Sequence, residues 1–511
     1  MKLARTKNTL RNTLWGIIYR VVTLIGPFAV KTLIVRRLGI EYSGLSSLFT
    51  SILTVLNLTN LGFSSSIVFT MYRAIVDDDI DAQCAMLRFY RHVYRIVGFV
   101  ILGLGLVIMP FLPHLVNGEC PADINLYTLF AIYLAETSLD YLMFAYVTAI
   151  FTAYQRNDIT LKISTVRYIV QYAVQAAVLI LFPNYYAYII VLPLMVIPNN
   201  IANYLAARKE YPKLTCRGSL DAGTKKDIYK RVGTLFGHKL GSTVLVSTDS
   251  IIISAFLGLT TMGIYGNYYY VLTAVNALVE IVTNGALSGI GNKLVTDSKD
   301  ENYALFRTLS YGWMLLIGIA AACMLCLYQP FIAGIWYDEN YLLDIRLVVL
   351  IVIYFYSWMF RIMQLTYRDA AGLWTRDWLK PYIAMAVNIV GSIWMVKATG
   401  SIAGVLLPTI FCFLAIYYPW EAWVIFKCLF NGGLKNYFVT TVFYTLISLL
   451  ACAASYAVCV FLAPSGTAAS FLIRLPVTLV ICCAVWWCFT HRSKEYERLK
   501  GMLRRIIRRQ I

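Results

Sequence analysis

Long apolar stretches that carry few charges recur from one end of the chain to the other. One of the first is RVVTLIGPFAVKTLIVRRLG at residues 20–39. A helix of about 20 apolar residues is long enough to cross a hydrocarbon core of about 30 Å. The hydropathy pattern predicts fourteen such spans, at 12–35, 45–72, 93–114, 126–153, 165–182, 187–207, 234–257, 267–290, 309–328, 347–367, 381–398, 402–426, 438–462 and 471–490. We therefore expect an all-α polytopic membrane protein.

The composition supports a membrane protein and leaves little room for a soluble domain. The 511 residues are 59% hydrophobic and 14% charged, whereas soluble domains carry roughly 25% charged residues. The longest clearly polar stretch is 208–233. The N-terminus has a basic start and an apolar run but lacks a small-residue cleavage site, so we interpret it as a retained first span.

The basic residues are distributed unequally between alternate connections. If the N-terminus is cytoplasmic, 36 of the 44 Lys and Arg residues fall in cytoplasmic segments, 4 in outer loops and 4 within spans. Cytoplasmic loops of membrane proteins carry this excess of positive charge. Both termini are therefore predicted to be cytoplasmic. The topology also explains the net charge of +18, so no nucleic-acid partner is expected.

A short internal repeat indicates two similar halves. LGIEYSGL at 38–45 and LGLTTMGI at 257–264 share a Leu-Gly pair and a second glycine at the same internal spacing. Six predicted spans separate the copies, and an even number gives both copies the same orientation. We expect a parallel repeat: two six-helix lobes that are related by a pseudo-two-fold axis along the membrane normal and face a central cavity.

The repeat and the polar segments predict the following organisation. The N-terminal lobe takes 1–207, a basic cytoplasmic linker 208–233 and the C-terminal lobe 234–427, followed by two additional spans at 438–490 and a basic tail at 491–511.

Two cations lie inside the first predicted span. Arg20 and Lys31 are 11 residues apart, which is close to three helical turns, so their side chains point roughly the same way. Charges inside a membrane usually face a protein interior or a wet cavity. We expect both to line a polar path, with Arg37 at its outer end. Alternatively, Lys31 extends to the outer surface beside Arg36 and Arg37.

Span ten carries a second set of polar residues. Arg361, Gln364 and Arg368 follow one another at intervals of three and four residues, so they form one stripe on a helix. We expect Arg368 at the cytoplasmic surface. Arg361 lies about two turns deeper, and Arg361 and Gln364 are the candidates for the cavity.

Four candidate carboxylates also lie within predicted spans. Glu136 and Asp140 occupy one face of span four, whereas Asp249 lies in span seven and Glu280 in span eight. Such groups either carry a coupling proton or cation or form intramembrane pairs, for example with the basic residues of span one.

Several segments resemble a known family. TKNTLRNTLWG, GPFAVKTLIVRRLGIEYSGLSSLFTSILTVLNLTNLG and FYRHVYRIVGFVILGLGLVIMPFLPHLV look like the opening third of polysaccharide-repeat transporters. STDSIIISAFLGLTTMGIYGNYYYV resembles the start of their second lobe. These transporters are flippases of O-antigen type, in the multidrug/oligosaccharidyl-lipid/polysaccharide exporter superfamily.

The resemblance implies transfer of an undecaprenyl-diphosphate-linked glycan across the bacterial cytoplasmic (inner) membrane by alternating access, for surface polysaccharide or exopolysaccharide synthesis. A proton gradient, a sodium gradient or the membrane potential would drive it. Membrane lipids, a polysaccharide polymerase and chain-length proteins are the further partners, and no cofactor or metal is expected.

Two other functions are weighed against this one. A membrane polymerase or lipid-linked glycosyltransferase normally needs a large loop or domain on one face, and the longest predicted outer loop here is about 329–346. The sequence contains no HExxH, GxSxG or P-loop pattern. A cation-coupled multidrug and toxin antiporter is the closer alternative, but buried cations favour an anionic headgroup. We therefore expect a transporter and not an enzyme.

Overall fold

The computed structural model of the protein describes residues 5–57, 63–118, 120–373, 376–462 and 468–509. The first four and last two residues of the predicted cytoplasmic termini lie outside the described residues. Throughout the described ranges the regular secondary structure is helical, with no strand. The all-α fold class predicted from the sequence is confirmed.

The chain divides into two compact units, and unit 1 comprises Met1–Gly263. Its helices are α1 Arg5–Arg37, α2 Ile40–Leu56, α3 Phe63–Val76, α4 Ile80–Ile108, α5 Leu126–Leu142, α6 Thr148–Ala153, α7 Asn157–Leu181, α8 Tyr185–Glu210 and α9 Ala222–Leu257. Short 3₁₀ segments follow α4, at Met109–Leu115, and α5, at Ala145–Val147.

Unit 2 comprises Ile264–Ile511. Its helices are α10 Leu259–Thr296, which begins at the end of unit 1, α11 Lys299–Phe331, α12 Ile345–Met359, α13 Ile362–Ala370, α14 Lys380–Thr399, α15 Ala403–Phe411, α16 Tyr418–Leu429, α17 Leu434–Leu462, α18 Ala468–Thr490 and α19 Lys494–Arg509. Two π-helical segments, Ile332–Trp336 and Cys412–Tyr417, interrupt the regular helix geometry.

The helices account for the predicted spans. Ten segments of the described chain are long and apolar enough to cross a membrane, and two shorter apolar helices lie at Ile40–Leu56 and Thr243–Leu257. Each of the fourteen predicted spans overlaps a helix. The chain is a multi-pass membrane protein by this criterion, although the number of fourteen crossings is not confirmed by it.

The internal repeat extends well beyond the short motif that revealed it. Three helices of unit 1 precede three later helices by the offset that separates the two motifs, the pairs of first residues being Ile40 and Leu259, Ile80 and Lys299, and Leu126 and Ile345. Their N-caps also correspond. Asn125 accepts a hydrogen bond from the Thr128 amide at 3.0 Å, and Asp344 accepts one from the Arg346 amide at 2.7 Å. Because such caps set where a helix begins, both copies start these helices at equivalent positions.

The two copies of the glycine motif contact each other inside unit 1. A Cβ atom on Gly44 would overlap the carbonyl oxygen of Leu259, and one on Gly263 would overlap the carbonyl oxygen of Ile40. These two contacts are equivalent under the repeat, because Gly44 corresponds to Gly263 and Ile40 to Leu259. Glycine at both positions therefore permits a close, reciprocal backbone contact between the copies.

This contact yields a stability prediction for Gly44→Ala. The added methyl group collides with a backbone carbonyl, which cannot move aside as a flexible side chain can, so we expect a loss of about 1–3 kcal/mol. Thermal unfolding of the purified protein measures it. The matched control is Gly103→Ala in α4, where an added Cβ meets nothing within 4 Å. Its stability should be unchanged or slightly higher, and equal losses in both variants would contradict the packing argument.

Helix α9 belongs to unit 1 by its contacts. The Ser254 hydroxyl donates to the Leu115 carbonyl at 2.8 Å, and the Asn117 side chain donates to the Phe256 carbonyl at 2.8 Å. The two compact units thus meet at 263/264 in the chain, later than the repeat boundary at 208–233. The lobe boundaries stay a prediction. They mark which segments of the two halves are equivalent in sequence, whereas the compact units reflect which residues touch one another.

The predicted linker at 208–233 is partly helical, since α8 ends at Glu210 and α9 begins at Ala222. Asp221 caps α9 by accepting a hydrogen bond from the Thr224 amide at 2.7 Å. Hydrogen bonds from Thr224 hold the pKa of the Asp221 carboxyl below its ordinary value, so this cap stays charged and suits a helix N-terminus.

In unit 2 the additional helices α17 and α18 pack on α11. The Tyr311 and Thr490 hydroxyls lie 2.8 Å apart, and buried Arg474 donates to the Cys326 carbonyl at 3.2 Å. Helix α19 is anchored to α11 by an ion pair of 2.5 Å between Arg307 and Glu495. The two C-terminal spans and the basic tail are thus integral parts of unit 2.

Candidate functional site

The candidate cations of helix α1 differ in how far their side chains are exposed. Arg20 and Arg37 have exposed side chains, whereas Lys31 is half-buried. Arg20 lies nine residues after Arg11, where the apolar segment begins, which corresponds to about 13.5 Å along a helix. Within the described residues Arg20 forms no ion pair with a carboxylate of the chain. A guanidinium at this depth of a membrane is costly unless its surroundings are polar.

Helix α7 runs alongside α1 in the same direction. Lys162 lies 5.9 Å from the Trp15 ring centre, and, further along both helices, the rings of Tyr19 and Tyr168 are 5.9 Å apart. Arg167 stacks on the Tyr168 ring at 4.8 Å. Parallel packing agrees with the predicted topology, in which spans one and five both run outwards.

Glu136 of α5 pairs with α7. Its carboxylate lies 3.7 Å from the Arg167 guanidinium, and the two side chains are 28% and 13% exposed. The sequence analysis offered the basic residues of span one as one possible partner of Glu136, and it counted Arg167, near the start of the predicted span at 165–182, with the cytoplasmic basic residues. Arg167 is therefore a residue that the sequence analysis missed as a partner.

Asp140 supports a break in the same helix. Its carboxylate accepts a hydrogen bond of 2.7 Å from the side-chain NH₂ group of Asn200, and Oδ1 of the same side chain accepts one of 3.2 Å from the Phe144 backbone amide. Helix α5 ends at Leu142, so the Phe144 amide lies beyond the helix and finds its hydrogen-bond partner elsewhere. Asp140 thus orients the Asn200 side chain, which accepts the hydrogen bond of the Phe144 amide. Its role in ion coupling, like that of Glu136, stays a prediction.

The Glu136–Arg167 pair yields a double-mutant prediction. Arg167→Gln leaves a half-buried carboxylate without its cation, and we expect a loss of about 1–3 kcal/mol, between exposed and buried pairs. In the Glu136→Gln background, Arg167→Gln should cost clearly less. Thermal unfolding of all four proteins gives the coupling energy. Strictly additive losses would show that the pair contributes nothing to stability.

The other two carboxylates lie on α9 and α10. Asp249 is buried in unit 1, with 1% of its surface exposed. Glu280 is half-buried on α10 in unit 2. Each makes further interactions with its surroundings, and their expected part in ion coupling stays a prediction.

Unit 2 contains a connected set of buried charges, which we call the buried charge network. The Glu421 carboxylate accepts hydrogen bonds of 2.6 Å from both Arg361 and Lys380. Lys380 also contacts Asp377 at 2.5 Å, and Asp377 accepts a hydrogen bond from Arg368 at 2.9 Å. All five side chains are buried. The network joins α13, α14 and α16 through charge.

The network is extended at both ends. Arg368 also pairs at 2.9 Å with Asp369, whose side chain is 41% exposed. At the other end the Arg361 guanidinium lies 4.4 Å from the Tyr417 ring centre, which suits a cation–π contact. Gln364 donates to the Tyr437 hydroxyl at 3.1 Å. These contacts give every cation of the network a partner within unit 2.

The network changes the interpretation of span ten. Arg368 was expected at the cytoplasmic surface, but only 8% of its surface is exposed. This expectation is wrong, because Arg368 forms ion pairs with Asp377 and Asp369. Arg361 and Gln364 were expected in the cavity, and the structure gives both a packing partner. Their part in headgroup binding stays a prediction.

Sequence reasoning missed Glu421, Lys380 and Asp377. Glu421 lies inside the predicted span at 402–426, so the rule that singled out Arg361 could have found it. Lys380 and Asp377 adjoin a connection, and their burial depends on tertiary packing.

Comparison with known proteins identifies the family of this chain. Residues 9–288, more than half of the chain, match the family described as "Polysaccharide biosynthesis protein". The chain belongs to the polysaccharide biosynthesis protein family. The family resemblance noted in the sequence is thus confirmed. Among individually curated proteins, none matches the sequence significantly.

Solved structures show the same fold. The lipid II flippase MurJ in an inward closed conformation has a TM-score of 0.66 at 14% identity, covering 94% of this chain and 98% of MurJ. An inward-facing MATE transporter of the MOP superfamily has a TM-score of 0.60 at 11% identity, with 78% and 93% covered. The Vibrio cholerae MATE transporter VcmN has a TM-score of 0.57 at 13% identity, with 83% and 98% covered. This polysaccharide biosynthesis protein therefore has the fold shared by flippases and transporters of that superfamily.

Proposed function

We propose that this polysaccharide biosynthesis protein flips an undecaprenyl-diphosphate-linked oligosaccharide repeat unit outwards across the bacterial cytoplasmic membrane. Alternating access coupled to an ion gradient or to the membrane potential moves the polar headgroup, while the lipid tail stays in the bilayer. The family match and the flippase and transporter fold support membrane transport as the class of function. The glycan class, the coupling and the inner-membrane location belong to the proposal.

One observation carries the choice of an anionic substrate. Arg20 is exposed on a membrane-spanning helix and has no carboxylate partner within the described residues. A guanidinium that faces lipid is costly, whereas a guanidinium that binds a diphosphate forms charge-assisted hydrogen bonds. Lys31 and Arg37 continue the basic path along α1. Glu136 and Asp140 have partners within unit 1, so in this account they organise α5, α7 and α8 around the path.

The fold also matches drug transporters, and the charge of Arg20 separates the two functions. An organic cation would be repelled by this side chain, whereas an anionic headgroup would be attracted. A polymerase is disfavoured because the fold is that of flippases and transporters.

A gene deletion in the producing bacterium tests the proposal. We expect the deletion strain to lose surface polysaccharide and to accumulate lipid-linked repeat units in its membrane, and the wild-type gene to reverse both effects. Normal polysaccharide together with new sensitivity to cationic dyes would instead identify a drug antiporter. Normal polysaccharide without such sensitivity would also contradict the proposal.

A further inference from the structure

A large amphipathic groove lies in unit 1 between α1, α7 and α8. Its volume is about 630 Å³. Five basic and two acidic side chains line it, so the lining carries a net charge of +3. The basic residues are Arg11, Arg156, Lys162, Arg167 and Lys209. The groove therefore attracts anions.

Only part of this positive charge is neutralised inside the protein. Asp158 lies 3.6 Å from Arg11 and 3.0 Å from Arg156, and Glu210 lies 3.5 Å from Arg156. Arg167 pairs at 3.7 Å with Glu136, which is not part of the lining. Lys162 and Lys209 are exposed, and in the part of the chain that the structure describes neither has a carboxylate within 4.0 Å. Two lysine ammonium groups thus remain available to an anion.

Two further lining residues have unsatisfied polar atoms. Arg167 Nε and Asn199 Oδ1 are buried and have no hydrogen-bond partner within the described chain. Buried polar atoms normally find partners, and an exception calls for a bound water, ion or ligand. Arg167 and Asn199 lie about 7.5 and 15 Å along their helices from Lys162 and Lys209, so these atoms can bind further polar groups of a ligand besides the one that the lysines bind.

Apart from Arg167 and Asn199, the remainder of the groove is apolar. Its lining includes Val166 and Val170 of α7 and Met195, Pro198 and Ala202 of α8. The eight residues from Lys162 to Val170 correspond to about 12 Å along a helix. A basic end followed by apolar walls matches a lipid with an anionic head and hydrocarbon chains.

We propose that this groove binds an anionic phospholipid of the inner leaflet. Its phosphate contacts Lys162 and Lys209 at the predicted cytoplasmic end of unit 1, and its acyl chains lie along the apolar walls. Basic pockets between membrane helices recognise lipid headgroups in this way. The apolar walls offer a glycan few hydrogen-bond partners, which favours a phospholipid over the sugar-bearing substrate. This site is independent of the proposed transport activity.

Lipid titration of the purified full-length protein in detergent tests the site. The probes are a fluorescent phosphatidylglycerol and a matched phosphatidylcholine. We expect phosphatidylglycerol to bind more tightly than phosphatidylcholine and to raise the melting temperature of the protein. The double variant Lys162→Gln/Lys209→Gln should lose about tenfold in affinity or more, which corresponds to ~1.4 kcal/mol, and should melt normally without lipid.

The matched control is Lys213→Gln/Lys226→Gln, which removes the same charge from unit 1 at residues that do not line the groove. It should bind as the wild type does. Equal loss in both double variants would overturn the site, because it would show a general effect of net charge. An unchanged affinity of the groove variant would overturn it as well.

A second variant keeps the charges and fills the apolar part. Ala202→Trp should weaken phosphatidylglycerol binding, because the ring occupies the space of the acyl chains. An undecaprenyl diphosphate competitor separates the two lipid sources. Loss of undecaprenyl diphosphate binding in the groove variants, with phosphatidylglycerol binding unchanged, would overturn the phospholipid assignment.

Discussion

Replacing Glu421 with Gln should destabilise unit 2 by roughly 3–5 kcal/mol. Glu421 is fully buried and accepts hydrogen bonds from both Arg361 and Lys380. Removal of one partner from a buried ion pair leaves uncompensated charge, which accounts for a loss of this size. The glutamine keeps the shape of the side chain, so the loss reports charge and not a cavity.

The balance of charges predicts a milder effect for Lys380→Met. The buried network contains three cations and two carboxylates. Glu421→Gln leaves three cations with one buried carboxylate, whereas Lys380→Met leaves two of each. Thermal unfolding in one detergent should therefore give the order wild type, Lys380→Met, Glu421→Gln. The opposite order would contradict the electrostatic account of the network.

Replacing Arg20 with Ala should reduce transport roughly tenfold to hundredfold. A hydrogen bond to a charged group contributes about 1.5–3 kcal/mol, and each 1.4 kcal/mol is a factor of about ten. Arg20→Lys keeps the charge but loses the bidentate geometry that suits a phosphate, so it should retain part of the activity. The deletion strain, complemented with each variant at matched membrane expression, measures the effect.

Arg376→Ala is the control for Arg20. Arg376 is exposed and lies outside the predicted path, and its replacement should leave transport unchanged. Because Arg20 is exposed, Arg20→Ala should unfold at the wild-type temperature. Full complementation by both Arg20 variants would remove Arg20 from the headgroup path.

The sequence predicted the features that follow from hydropathy and repetition. The helices overlap the predicted spans, and the offset between two short motifs also relates the starts of later helices. Both features arise from local patterns, since burial in a bilayer and helix capping are encoded by neighbouring residues. The reciprocal contact of Gly44 and Gly263 is the tertiary counterpart of that repeat.

The pairing of charges could be predicted much less well. Arg361 was recognised as a cation inside a span, but its partner Glu421 lies 60 residues later. Glu136 was recognised too, whereas Arg167 was counted with the cytoplasmic basic residues. The pairing of a carboxylate with a cation depends on helix packing and on helix breaks such as the one after Leu142. The hydropathy pattern predicts neither the packing nor the breaks. Arg368 was misplaced for the same reason.

Reconstituted translocation tests the central claim most directly. Purified protein in liposomes is given a fluorescent undecaprenyl-diphosphate oligosaccharide, and the fraction of label accessible to an external quencher is followed over time. We predict that the wild type exchanges the lipid across the bilayer at least tenfold faster than protein-free liposomes and Arg20→Ala do. Exchange by the wild type no faster than in protein-free liposomes, in a preparation that melts cooperatively, would contradict the account.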